Sequence, residues 1–161
     1  MFFDDPIAAF SNIRSALDKT GRLAFTCWQS PRDNQWISLP LGIVLKYLSP
    51  VEPADKDAPG PFAFADPQRV STILHSAGFS NIQASPYVSP VTFGHNIADA
   101  AYALTQLGPA ANAITNSEPD GETISKILND LQEALVPYVT ENGIMLGAAT
   151  WVVTAKNALE N

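Results

Sequence analysis

The sequence predicts an α/β fold, and three observations carry that reading. Two segments repeat the order capped helix, glycine, apolar strand, at residues 5–28 and 66–93. The stretch 96–138 carries helical periodicity, and a long apolar strand follows at 144–155. The composition is that of a chain with a core. Of 161 residues 46% are hydrophobic and only 16% charged, against about a quarter charged in soluble domains. A chain this long buries about two-thirds of its unfolded surface, so residues 1–161 are expected to form a single domain.

The elements follow in order. Asp5 suits a helix N-cap and Pro6 the first turn; Ile7, Phe10, Ile13 and Leu17 then recur on one face. Gly21 ends this helix, and Arg22–Trp28 is a short strand. Residues 29–65 are read as irregular, with a helix from Trp36 to Leu48 interrupted near Pro40. Glu52 to Pro61 is read as an extended loop, because proline blocks both helix and interior ladder.

Asp66 and Pro67 start the second helix, which buries Val70, Ile73, Leu74 and Ala77. Gly78 stops it, with Phe79 packing back. The next strand, 81–93, holds Pro86 and Pro90 and reads as an irregular or edge strand. Asn96 caps a helix bearing Ile97, Ala101 and Leu104, ended near Gly108. A short helix follows Pro109. Ser117 or Asp120 caps the longest helix, with Ile124, Ile127, Leu128, Leu131 and Leu135 inward. Asn142-Gly143 is a turn signal.

Charge and cysteine content exclude several classes of function. Nine basic against sixteen acidic residues leave a net charge of −7, and no basic run exists to displace counterions from nucleic acid. The expected partners therefore include neither nucleic acid nor membrane. One cysteine, Cys27, makes neither an internal disulfide nor a metal cluster. With no signal-peptide pattern at Met1–Asp5, a cytoplasmic location is expected.

Several phrases in order carry a family resemblance. Met1-Phe2-Phe3-Asp4-Asp5-Pro6 leads into a helix; Gly21-Arg22-Leu23-Ala24-Phe25 and Cys27-Trp28 follow. Then come Gly60-Pro61-Phe62-Ala63-Phe64-Ala65-Asp66-Pro67, Ala77-Gly78-Phe79, and Leu146-Gly147-Ala148-Ala149-Thr150-Trp151-Val152-Val153-Thr154-Ala155. Over essentially its whole length the chain resembles the carboxyl-terminal half of a class I S-adenosylmethionine-dependent methyltransferase, of the branch similar to the ubiquinone/menaquinone-biosynthesis enzymes. The resemblance implies a Rossmann-like sheet in which residues 22–28, 81–93 and 144–155 are strands five, six and seven. They would be ordered 5-7-6 with antiparallel neighbours, and 96–138 would be a helical insert. Met1 to Phe3 would end strand four. S-adenosylmethionine is then the implied cofactor. The Gly-rich turn that holds it in the family belongs to the half before strand four, and no Gly-x-Gly-x-Gly turn occurs in this sequence. The chain is therefore expected to be a partial domain that does not bind the cofactor alone. The alternatives are a dimeric ligand-binding or interaction module, or one half of a split methyltransferase.

Ligands in open α/β sheets bind beyond the carboxyl ends of the strands. By the resemblance Phe2, Phe3, Asp4, Trp28 and Gln29 would lie there, with Trp36 covering the site from the loop, around a small apolar acceptor. Aromatic residues mostly fill cores, so for Phe2, Phe3 and Trp28 the packing reading is preferred to the acceptor-site one. His95 is a candidate base for an acceptor hydroxyl or a surface histidine. Asp5 is read as a cap, whereas Asp4 stays open between substrate contact and surface. Cys27 would need a nearby base to act as a nucleophile, and neither His75 nor His95 is placed beside it by sequence. Glu52, Asp55 and Asp57, with Lys56 among them, are read as a solvated loop. In the absence of a strand-four neighbour the edge 22–28 has one charge and no proline. A homodimer through that strand and the first helix is expected.

Overall fold

The computed structural model describes residues 1–50 and 58–157. It is mixed α/β, with six α-helices and a four-strand antiparallel open sheet among these residues. The acidic stretch Glu52, Asp55, Lys56, Asp57 lies outside the described residues. The chain divides into two compact units. One comprises Met1–Ser30, Ala54–Val88 and Ala149–Asn161, the other Pro31–Pro53 and Ser89–Ala148.

The first unit opens with α1 (Pro6–Ser15), where the Asp5 carboxylate accepts from the Ala8 N–H at 2.9 Å. The cap and Pro6 stand where the sequence puts them. Ile7, expected inward, is 42% exposed. The apolar stripe centres on Phe10, with Ile13 and Leu17 packed beside it, and Ile7 in the first turn lies past its end. Strand β1 (Arg22–Trp28) follows. Helix α3 (Pro67–Ser76) is capped by Asp66, whose Oδ1 accepts from the Gln68 N–H at 2.9 Å. It packs against α1 and buries Val70, Ile73 and Leu74 as expected. Gly78 is required by its backbone, with φ at +89°, and the Arg14 guanidinium rests on it, 2.9 Å from where a Cβ would stand. With Phe10, Phe64, Ala77, Phe79, Val153 and Ala155, these residues form one core.

Strand β2 (Ser80–Gly94) is continuous over 15 residues, so Pro86 and Pro90 do not break it. Strand β4 (Gly143–Lys156) closes the chain. The sheet order is β1-β4-β2, and β1 pairs antiparallel with β4 from Arg22↔Lys156 to Trp28↔Thr150. Asn157 secures this end. Its backbone N–H donates to the Gly21 carbonyl at 2.9 Å. Its side-chain amide donates to the carbonyls of Arg14, Leu17 and Asp18 at 2.9–3.3 Å, which ties the end of β4 to the turn that follows α1.

The second unit corrects the sequence reading at Pro40. Helix α2 (Gln35–Val44) runs through it without a break. Proline removes the donor that would bond the Trp36 carbonyl, but Pro40 is itself buried along with Ile37, Ile43 and Val44, and that apolar burial offsets the loss. Helix α4 (Ile97–Thr105) is capped by Asn96, and α5 (Gly108–Ser117) follows Leu107. Asp120, rather than Ser117, caps α6 (Gly121–Leu135), accepting from Thr123 at 2.8 Å. Ile127, Leu131 and Leu135 are fully buried on its inner face. Helix α2 packs on α4, α5 and α6.

Strand β3 (Val139–Thr140) was not expected. It pairs with the start of β4, Val139↔Ile144 and Thr140↔Gly143, so the sheet has a fourth strand. Gly143 makes this turn possible: its φ is +99°, and a Cβ would lie 2.5 Å from the Gly94 carbonyl oxygen.

Leu74 is fully buried in the first core, so Leu74→Ala is expected to cost about 2–5 kcal/mol from lost burial and an unfilled cavity. Urea unfolding followed by circular dichroism measures this; a loss below about 1 kcal/mol would show that the core is looser than described.

Candidate functional site

The carboxyl end of β1 holds Cys27, Trp28 and Gln29. Strand alternation turns Leu23, Phe25 and Cys27 inward, and Cys27 is buried at 2% exposure. Its Sγ lies 3.5 Å from the Phe64 carbonyl oxygen, to which it donates. Burial raises the thiol to about 11, the nearby N-terminal ammonium opposing this only in part. The thiolate that a nucleophile needs is therefore disfavoured here. Gln29 is also buried; its backbone N–H donates to Ala149 O at 3.0 Å and its Nε2 to Thr150 O at 2.7 Å. Gln29 thus extends the β1–β4 ladder by one residue. Trp28 is half-buried.

Ahead of α1, Phe2 and Phe3 are 68% and 42% exposed, and Asp4 is exposed. The Phe3 ring stands edge-on to Phe10 at 6.0 Å, and Phe10 lies 5.4 Å from Phe25. Phe10 and Phe25 both contact Phe64. Phe3 is therefore the outermost member of an aromatic cluster. The Met1 carbonyl accepts from the Gly60 N–H at 3.2 Å, which ties the chain start to the turn before α3.

Trp36 and His95 belong to the second unit. Trp36 donates its indole N–H to Asn34 Oδ1 at 3.1 Å and stacks on Phe93 at 5.9 Å. Asn34 is fully buried at the N-cap of α2. Beside them the Gln35 side-chain oxygen accepts from the Gly147 N–H at 2.9 Å. These residues are the anchor of α2. His95 is exposed immediately before the Asn96 cap, as is His75 near the end of α3.

Apart from half-buried Trp28, the expected site residues thus fall into two kinds. Gln29 and Trp36 spend their polar groups inside the fold, whereas Phe2, Phe3, Asp4 and His95 face solvent. Phe2, Phe3, Asp4, Trp28 and Gln29 belong to the first unit, Trp36 and His95 to the second. One polar cluster escaped the sequence reading. Asp130 on α6 accepts from Lys46 Nζ at 3.1 Å and Tyr47 Oη at 3.0 Å. These donors hold its carboxyl below the usual carboxylate range, and the same bond pushes the Tyr47 phenol up. The partners stand more than 80 residues apart, so no local signal joins them. The cluster is exposed, and a surface pair of this kind contributes little.

No group of three or more metal-ligating side chains occurs among the described residues, and no helix there is long and apolar enough to cross a membrane. No family model and no curated protein matches the chain.

Cys27 is expected to resist alkylation by iodoacetamide at neutral pH until the protein unfolds. Its folded-state value of about 11 lies above the ordinary thiol value of 9.0. The stability this contributes is complete below the unfolded value and lost as pH rises through the folded one. Unfolding titrations between those limits should therefore show stability falling with pH in the native chain and a weaker fall in Cys27→Ala. Rapid alkylation of the folded protein would contradict the buried, neutral thiol.

Proposed function

We propose that this chain is a methyltransferase-related module. It corresponds to the substrate-side half of a class I S-adenosylmethionine-dependent methyltransferase sheet, and it acts through association rather than as a self-sufficient transferase. The observation that carries the reading is the strand order. The last strand, β4, lies between the first and second strands, β1 and β2, in an antiparallel sheet. The resemblance places strand seven between five and six in the same way. Two helix–glycine–strand units feeding that sheet support it further.

The second part of the proposal rests on chemistry. Methyl transfer from a sulfonium requires donor and acceptor to be held in line. In the family the donor is held where a glycine-rich turn lets the backbone approach closely. The nine glycines of this sequence are scattered, the nearest pair being Gly143 and Gly147. Gly143 serves the β3–β4 turn, and Gly147 donates to Gln35. Of the residues expected around an acceptor, Gln29 and Trp36 are engaged in the fold. Exposed Phe2 and Phe3 suit an apolar contact surface instead.

Calorimetric titration with S-adenosylmethionine and S-adenosylhomocysteine tests this. The 161-residue chain is expected to give neither binding heat nor a thermal shift at millimolar ligand. Saturable binding at micromolar concentration would overturn the proposal, because it would require a donor site built without the glycine-rich turn.

A further inference from the structure

We draw no further inference here: the strongest candidate, the exposed apolar side chains Phe2, Phe3 and Ile7 at the start of α1, beside the aromatic cluster of Phe10, Phe25 and Phe64, is an unpartnered face, and nothing in the structure shows what covers it.

Discussion

Every strand of the described sheet pairs with β4. β1 and β2 flank it, and β3 pairs with its first residues. The rest follows from what this strand needs. Its inward residues Ile144, Leu146, Ala148, Ala149, Val153 and Ala155 are nearly or wholly buried, so helices must cover them. The first unit does this with the core of α1 and α3, and the second with the core of α4 and α6. Its backbone groups need partners along their whole length. Where regular pairing stops, side chains continue it: Gln29 beside Thr150 and Gln35 at Gly147. The strand also fixes which backbone groups of β1 face outward.

That requirement explains why residues with a functional look became structural. A glutamine after a strand and a tryptophan in a loop resemble parts of a binding site. Here Gln29 supplies the last rung of a ladder, and Trp36 holds Asn34 at the start of a helix. Cys27 tells the same story. Beside a tryptophan at a strand end it resembles a nucleophile, yet burial favours its neutral form. A buried polar group that has found its partners is rigid and costly to disturb, which suits a scaffold.

The helices were legible because their signals are local. Asp5, Asp66, Asn96 and Asp120 all cap as their sequence positions imply, and the apolar spacing of α3 and α6 identified their buried faces. Strand β1 was legible to the residue, since Gly21 and a short apolar run bound it. The misses are non-local. Pro40 reads as a breaker until the buried face around it is known. β3 is two exposed residues, a strand only because Gly143 turns the chain back upon it. Of the candidate site, the exposure of Phe2 and Phe3 depends on which faces of the first unit α1 and α3 cover. The roles of Gln29, Trp36 and Asp130 depend on partners that the fold alone brings near.

The central claim is the β1–β4 register, because both the burial of Cys27 and the outward turn of Ala24 and Thr26 follow from it. Nuclear Overhauser contacts between α-protons test it most directly, since only the non-hydrogen-bonded pairs of an antiparallel ladder bring these protons close. Strong contacts are predicted for Ala24 with Thr154 and for Thr26 with Val152, which face each other in the β1–β4 ladder. Strong contacts for Leu23 with Ala155 and Phe25 with Val153 in their place would put the odd residues at the free edge and contradict the account.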